Sequence, residues 1–283
     1  MRRAFTLIEL IVVISILTFV GLFGLTQISS IYEAYITQKI ADTLETDAKN
    51  AINQIALRIA NGIKESVVVL DNSYSCVKPV SENSGNISSI AWVGGDKELF
   101  MGLWNGSYNS PAVSGFADLN MSTYNQIVSY GSNATYANKI ISSLSNKPSP
   151  LNQSNFLALY FGKNEQNSCD AFFGTSGAMI GVSLFNGYTL NLSRSANFIS
   201  QYYKASWSAY AIEYVLAEKS LYLKYDFRPW LGENANSAKS SLLVQNVSDF
   251  GIKSENGLLR LNLCLEKNAG GFMAKICKER AIF

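Results

Sequence analysis

Apolar residues dominate the beginning of the chain and predict one long helix. No charged residue occurs between Glu9 and Glu33, and the residues from 10 to 25 are almost all apolar. Together with the apolar residues just before Glu9, they form a run of about 20 residues, which as a helix would cross the roughly 30 Å hydrocarbon core of a membrane. The pattern therefore predicts a transmembrane helix over residues 5–29.

The helical pattern continues beyond this run as one amphipathic stripe. Apolar residues recur at spacings of three and four, the period of an α-helix; they are Ile40, Leu44, Ala48, Ile52, Ile55, Ile59 and Ile63. A helix from Phe5 to about Lys64 would be about 90 Å long at 1.5 Å per residue. We expect residues 30–65 to form an amphipathic stalk that packs on a globular head. The alternative is an anchor followed by an unrelated soluble helix.

After the stalk, the pattern changes to short apolar runs separated by clusters of Gly, Asn and Ser, which are typical of strands and turns. The predicted strands are 66–70, 99–104, 156–161, 179–185 and 242–247, and 124–144 is expected to contain a short helix. The sequence therefore predicts an α+β fold. Its long transmembrane and stalk helix would pack on a mostly antiparallel, β-rich head over residues 66–283.

Strict alternation of apolar and polar residues on both sides of Glu218-Lys219 predicts a β-hairpin. A turn centred on this dipeptide fixes four cross-strand pairs: Leu216 with Leu221, Tyr214 with Leu223, Ile212 with Tyr225 and Glu213 with Lys224. A shift by one residue would place apolar against polar residues throughout. Because the dipeptide is a poor two-residue turn, a four-residue loop over 217–220 is the alternative.

A second hairpin is predicted around Gly270-Gly271, a two-residue turn signal. Its register pairs Leu265 with Ile276, Leu263 with Lys278, Glu266 with Lys275 and Cys264 with Cys277. Counted from the turn, the two cysteines occupy a non-hydrogen-bonded site, where Cα atoms lie about 4.5 Å apart. This separation is compatible with a disulfide, for which the Cα atoms lie about 4.4–6.8 Å apart. We therefore expect a disulfide between Cys264 and Cys277.

The other two cysteines, Cys76 and Cys169, would pair by elimination. Four cysteines allow three connectivities, so other pairings stay open. A four-thiolate zinc site is a further alternative, but such sites are typically built from Cys-x-x-Cys pairs, and the sequence contains none.

Composition and charge exclude several classes of function. The chain has 283 residues, 48% hydrophobic, and a formal net charge of +2, which gives no electrostatic footprint for nucleic acid. The absence of histidine excludes histidine general bases, Ser-His-Asp triads and His-ligated zinc. The sequence also lacks Gly-x-Ser-x-Gly, phosphate-loop and dinucleotide-binding motifs. We expect a protein that is not an enzyme and that binds no cofactor or metal.

Three segments of the head contain weaker indications of a functional site. Residues 174–177 (Gly-Thr-Ser-Gly) are typical of a turn. Tyr202, Tyr203 and Trp207 could stack on single-stranded nucleic acid, although in a chain with 15 Tyr and 15 Phe a core or interface role is favoured. Asn120 lies in Asp-Leu-Asn-Met-Ser, a hypothetical site of bacterial N-glycosylation.

Glu9 interrupts the apolar segment at membrane depth, where a carboxylate costs at least about 2.5–3.5 kcal/mol. Such a residue indicates a function and requires a partner. Three simpler interpretations are a secretory signal peptide, a twin-arginine signal at Arg2-Arg3, and a plain anchor in which Glu9 reaches the interface. No small-x-small cleavage site follows Leu25, which argues against both signal peptides.

The first nine residues, Met-Arg-Arg-Ala-Phe-Thr-Leu-Ile-Glu, resemble the class III signal of type IV pilins and pseudopilins. That family has a short basic leader, a small residue before the cut, Phe-Thr-Leu-Ile-Glu and a long apolar helix. The resemblance implies that residues 1–4 are a leader, that a prepilin peptidase cuts between Ala4 and Phe5, and that Phe5 becomes N-methylated. Glu9 would then pair with the Phe5 amine of a neighbouring subunit. Ala4 stands where the family usually has Gly.

The pattern of the whole chain resembles the larger minor pseudopilins of type II secretion, most closely the J-type subunit. The resemblance implies a structural tip or priming subunit of an inner-membrane pseudopilus, for type II secretion or DNA uptake. Its partners would be other pseudopilins through the amino-terminal helix, the prepilin peptidase, the assembly platform and the inner membrane. Arg2 and Arg3 would keep the amino end cytoplasmic, with a periplasmic head. The alternative is a minor type IV pilin whose head binds DNA or a surface.

Overall fold

The chain folds as one long helix joined to antiparallel β-sheets, in agreement with the predicted α+β class. The computed structural model describes residues 7–71, 73–79, 89–145, 148–162, 168–175, 177, 179–255, 258–269 and 271–282. The helices are α1 (Leu7–Ala60), α2 (Lys97–Met101), α3 (Ala134–Ser145) and α4 (Ser168–Phe173).

The strands form three sheets and one small hairpin among the described residues. In chain order they are β1 (Val68–Leu70), β2 (Cys76–Pro79), β3 (Ser89–Val93), β4 (Leu103–Trp104), β5 (Asn109–Ser110), β6 (Gln126–Val128), β7 (Ala158–Tyr160) and β8 (Met179–Asn186). The later strands are β9 (Thr189–Leu192), β10 (Lys204–Ser206), β11 (Ala209–Val215), β12 (Ser220–Phe227), β13 (Lys239–Gln245), β14 (Val247–Glu255), β15 (Leu258–Ala269) and β16 (Phe272–Ala281).

The sheets mix strands that are close and distant in sequence. A six-stranded sheet has the order β13-β12-β11-β3-β1-β2, and a three-stranded sheet has the order β14-β15-β16. A five-stranded outer sheet has the order β10-β7-β8-β9-β6, and β4 pairs with β5 in a separate hairpin. Because β3 pairs with β11 in the six-stranded sheet, more than a hundred residues of chain lie between two neighbouring strands.

The second half of α1 packs on the head along the predicted stripe. The buried helical residues are Leu44, Ala48, Ala51, Ile52, Ile55, Ala56 and Ile59. They share one core with Ile90 and Trp92 of the six-stranded sheet and with Leu261 and Leu263 of the three-stranded sheet. The stripe therefore joins two sheets that have no strand in common.

Helix α1 ends earlier in the chain than predicted. The helix ends at Ala60 rather than near Lys64, and the Ile63 N–H donates to the Val93 carbonyl of β3 (2.9 Å) instead of continuing the helix. Gly62 contacts β3 so closely that a Cβ there would lie 2.7 Å from the Trp92 ring. Ile63, predicted as the last position of the stripe, is buried on the opposite side of the six-stranded sheet, with Val93.

Alternate residues of strand β3 face opposite sides of the six-stranded sheet and belong to two different cores. Ile90 and Trp92 of β3 face α1, whereas Ala91 and Val93 pack with residues of β7, β8 and α4. This is the two-residue period of a strand that is buried on both faces. The outer sheet has its own core with α2 and α3, in which Leu99 and Ile141 are fully buried.

The predicted hairpin at Gly270-Gly271 is confirmed in register. β15 and β16 pair Leu265 with Ile276, Leu263 with Lys278, Glu266 with Lys275 and Cys264 with Cys277. Gly271 has a positive φ of 89°, which suits a tight turn, and Gly270 lies outside the described residues. The register was predictable because the turn is short and its residues specify its type.

The register predicted for the other hairpin is wrong. Tyr214 pairs with Leu221 and Ile212 with Leu223, because residues 216–219 form the loop and Lys219 takes a left-handed φ of 49°. The shift is by two residues, so the apolar side chains stay on their predicted face. Glu213 still forms an ion pair of 3.1 Å with Lys224, as a diagonal neighbour instead of a direct one.

Two other segments differ from their predictions. Residues 99–101 belong to α2 rather than to a strand, and Gly102, with a positive φ of 69°, ends that helix beside Ser110. The predicted strand over 242–247 is divided between β13 and β14, which belong to different sheets. The chain turns between them at Asn246, which has a positive φ of 63°. The short helix expected within 124–144 is present as α3.

The burial of the stripe predicts a large loss of stability for Ile55→Ala. Ile55 has no exposed surface, so its truncation leaves a cavity and lowers the free energy of unfolding by about 2–5 kcal/mol. The measurement is denaturant unfolding of the full chain in phospholipid nanodiscs, followed by tryptophan fluorescence.

Leu57→Ala is the matched control on the same helix. Leu57 is 55% exposed, and its truncation should change the free energy of unfolding by less than about 0.5 kcal/mol. Equal losses for the two variants would contradict the orientation of the stripe.

Candidate functional site

The first half of α1 is an apolar surface that the head does not cover. Every residue from 7 to 35 is exposed, over about 44 Å of helix at 1.5 Å per residue. An 18-residue window of the helix has a mean hydropathy of 2.5, and none of it is buried. By length and composition, this half of α1 is sufficient to cross a membrane. We call residues 7–35 the assembly segment.

Two hydroxyl groups in the middle of the assembly segment are satisfied by the helix itself. The Ser15 hydroxyl donates to the Ile11 carbonyl (2.8 Å), and the Thr18 hydroxyl donates to the Ile14 carbonyl (2.7 Å). Such bonds to the preceding turn allow hydroxyl side chains to lie in an apolar environment without water. The two residues therefore do not interrupt the apolar surface.

A shallow hollow interrupts the outline of the assembly segment. It lies beside Gly24 and is lined by Phe19, Val20, Phe23 and Gln27. A Cβ at Gly21 or Gly24 would meet no atom within 4 Å. Small residues on an apolar helix let a second helix approach closely, so this hollow is suited to helix–helix packing.

Glu9 lies on the exposed surface in the first turn of α1. The amino end of a helix carries a partial positive charge that favours a carboxylate. Ala4 and Phe5, the residues of the expected cleavage site, and the predicted leader over 1–4 lie outside the described residues.

Both expected disulfides are present in the head. Cys264 and Cys277 join β15 to β16 with their Cα atoms 4.0 Å apart, and Cys76 and Cys169 join β2 to α4 with their Cα atoms 5.9 Å apart. The second bridge spans 93 residues of sequence. The bridge therefore links β2, the edge strand of the six-stranded sheet, to α4, which precedes strand β8 of the outer sheet.

The carboxyl end of the stalk meets a buried carboxyl group. Asp96 is 4% exposed and accepts a hydrogen bond from the Trp207 N–H (2.5 Å). Burial raises the pKa of Asp96 well above its usual value and the nearby Glu98 adds to this, while the bonds from Trp207 and Ser206 oppose it. A cavity of about 130 Å³ lies beside it, lined also by Arg58 and Tyr210.

A second buried polar group joins the six-stranded sheet to the outer sheet. Arg228 pairs with Asp226 (3.1 Å) and Glu233 (2.7 Å), and its guanidinium lies 4.3 Å from the centre of the Phe156 ring. Sequence reasoning missed both Asp96 and Arg228. The local sequence gives no signal for either, because segments distant in the chain, at Trp207 and Phe156, lie against them.

The weaker sequence candidates do not form a common site. Tyr202 is exposed, but Tyr203 and Trp207 are buried, and the Tyr203 hydroxyl bonds to Ser129 (2.6 Å). The three rings therefore do not form a stacking platform.

The remaining candidates are placed as follows. Gly174 has a positive φ of 67° and its carbonyl accepts a bond from Arg194 (2.6 Å), as in a turn, while Ser176 lies outside the described residues. Asn120 is exposed in a loop. Across the described ranges, no three acidic or cysteine side chains are grouped as metal ligands.

Comparisons with known proteins gave no match to a protein-family model, to a curated protein or to a solved structure. The function must therefore be inferred from the residues and geometry of the chain itself.

The raised pKa of Asp96 predicts a pH dependence of stability. The carboxyl ionises near 3.8 in the unfolded chain but only at higher pH in the folded protein. Unfolding therefore releases a proton in this window, and stability falls as pH rises from about 4 towards the folded pKa. Asp96→Asn keeps an acceptor for Trp207 and should remove this decline in stability. The measurement is denaturant unfolding of both proteins at several pH values. A wild-type decline that persists unchanged in Asp96→Asn would contradict the assignment.

Proposed function

We propose that this chain is a minor pseudopilin, a structural tip or priming subunit of an inner-membrane pseudopilus for type II secretion or DNA uptake. The observation that carries the proposal is the continuity of α1. Its first half is an exposed apolar segment, and its second half is built into the head. Such a helix needs lipid around its first half before assembly and neighbouring helices around it afterwards.

The apolar area of the assembly segment supports this assignment. Soluble monomers rarely expose contiguous apolar patches larger than a few hundred Å². Each square ångström of apolar surface removed from water contributes about 25 cal/mol. Lipid already removes this apolar surface from water. The association of helices would therefore be driven by close packing at small residues such as Gly21 and Gly24 and by polar contacts.

Glu9 supplies the polar contact in this proposal. In the membrane or in a filament, its carboxylate is stable only when paired. Cleavage between Ala4 and Phe5 would create an amine at the same end of the helix. The Phe5 amine of a neighbouring subunit would pair with Glu9 and set the axial position of the two helices. Loss of one member of such a buried pair costs about 3–5 kcal/mol.

The expected orientation agrees with the cysteine chemistry. Arg2 and Arg3 precede the apolar run, which favours an amino end in the cytoplasm and a head in the periplasm. Disulfides persist in oxidising compartments such as the periplasm. The two bridges of the head therefore support an extracytoplasmic location.

A surface-binding minor type IV pilin is the second candidate, favoured by the side chains exposed on the outer region of the head. Large aromatic residues face solvent there, namely Trp104, Tyr124 and Tyr202. Aromatic residues are enriched at interfaces because they provide apolar area together with a polar group. This candidate uses the same assembly segment and differs in what the head contacts.

Glu9→Ala tests the proposal directly. The variant should be processed and inserted into the inner membrane like the wild type, because the cleavage site and the apolar run are intact. It should be lost from the filament, because the neighbouring amine has no carboxylate partner. The measurements are the electrophoretic mobility of the processed chain and its yield in sheared or cross-linked filament fractions from the native host.

Glu33→Ala is the control for loss of a carboxylate on the same exposed half of α1. It should assemble normally. Wild-type incorporation of Glu9→Ala, or equal loss of both variants, would overturn the role assigned to Glu9.

Deletion of the gene separates the two candidate functions. Loss of exoprotein release or of transformation by DNA supports the pseudopilin assignment and distinguishes the two machines. Normal secretion and transformation with a loss of adhesion would instead favour the minor type IV pilin.

A further inference from the structure

We propose that the head has a binding site for an uncharged carbohydrate, in a groove between the amino end of α3 and the hairpin formed by β8 and β9. The groove has a volume of about 560 Å³, within the roughly 300–1,000 Å³ typical of small-molecule sites. It lies on the outer sheet, away from the assembly segment. The proposal therefore goes beyond the proposed function and does not depend on it.

The polar lining of the groove consists of amides and hydroxyls. They belong to Thr135, Asn138, Asn152, Ser183 and Asn186. Amide and hydroxyl groups both donate and accept hydrogen bonds, which matches the hydroxyl groups of a sugar. Leu151 and Leu184 add apolar surface beside them, suited to the C–H face of a sugar ring.

The groove lacks charge among its described lining residues. Asp118 is the only charged residue in the sequence from 99 to 138, and none occurs from 179 to 193. A charged ligand would lose its water here without gaining an ion pair, which is costly. A neutral polar ligand exchanges one set of hydrogen bonds for another, so the lining selects uncharged molecules.

A pair of exposed tyrosines adjoins the groove lining in the chain. The ring centroids of Tyr130 and Tyr188 are 5.0 Å apart, and each residue is 47% exposed. Tyr188 directly follows Gly187, which lines the groove and accepts a hydrogen bond from the Ala134 N–H (3.0 Å). Exposed tyrosines present a flat apolar face and a hydroxyl, a combination on which sugar rings stack.

The walls of the groove are held in place by the protein itself. The Asn138 side chain accepts a bond from the Leu151 N–H (3.1 Å), and the Ser183 hydroxyl donates to the Asn191 carbonyl (3.1 Å). The Ser129 N–H donates to the Tyr188 carbonyl (2.9 Å). A preformed site lowers the cost of ordering the protein on binding, so these bonds favour binding in the groove.

The test uses the full chain in phospholipid nanodiscs, since sugar-based detergents would compete for the groove. The probes are an array of neutral oligosaccharides of hexoses and N-acetylhexosamines, with uronic-acid oligosaccharides and uncharged peptides in parallel. At least one neutral oligosaccharide should bind. Because no ion pair is involved, its dissociation constant should change less than about twofold between low and high salt.

Two variants connect that binding to the groove. Tyr188→Ala and Asn186→Ala should each weaken it by about tenfold or more, measured by calorimetry. Tyr108→Ala is the matched control, because Tyr108 is a similarly exposed tyrosine (63%) on the hairpin of β4 and β5, which contributes no residue to the groove lining. It should bind like the wild type, and unchanged thermal unfolding would show that all three variants fold.

Each contrary outcome overturns the proposal. These are no binding to any neutral oligosaccharide on the array, preference for the uronic-acid probes, binding that Tyr188→Ala and Asn186→Ala leave unchanged, or equal losses in Tyr108→Ala. Binding of the uncharged peptides at Tyr188 and Asn186, in place of the oligosaccharides, would identify the groove as a peptide site instead.

Discussion

The packing of one helical stripe against two sheets holds the molecule together. Between residues 44 and 59, α1 buries its apolar face against the six-stranded and three-stranded sheets, which share no strand. The strand β16 reinforces this contact, since Lys278 bonds to Glu45 (2.5 Å) and Arg280 bonds to Asn53. Because α1 is continuous, the same contact fixes the direction in which its apolar half leaves the head. The direction of the exposed segment relative to the head is therefore decided by packing at the opposite end of the helix.

One helix has to suit two environments, and its sequence divides accordingly. From residue 7 to 35 the side chains are exposed and mostly apolar, and the hydroxyls of Ser15 and Thr18 bond to the helix backbone. Beyond that point, polar residues separate the apolar positions of the stripe, so only one face is buried. The chain has no proline before Pro79, and proline is the residue that most sharply kinks a helix. Hydrogen bonding is therefore uninterrupted across the change of environment.

Local patterns predicted the parts of the fold that local chemistry decides. The stripe of α1 follows from a period of 3.6 residues, and the register of β15 and β16 follows from a glycine turn. The register of β11 and β12 was not predictable, because it depends on a left-handed conformation at Lys219, a residue with no strong preference for it. The strand order and the burial of Asp96 depend on contacts between distant segments. The contact between Tyr130 and Tyr188 likewise exists only once the turn between β8 and β9 has met the segment before α3.

Charge is distributed unevenly along the chain, and this separates the chemistry of the outer sheet from that of the stalk and the sheets packed on it. Only seven charged residues occur among the 105 residues from 99 to 203, whereas 37 occur among the other 178. The charged part includes the stalk and the sheets that pack on it, where ion pairs such as Lys278–Glu45 form. The outer sheet instead exposes hydroxyls, amides and aromatic rings, which bind without strong long-range attraction. Contacts made by the stalk should therefore respond to salt, while contacts made by the outer sheet should depend on shape and hydrogen bonding.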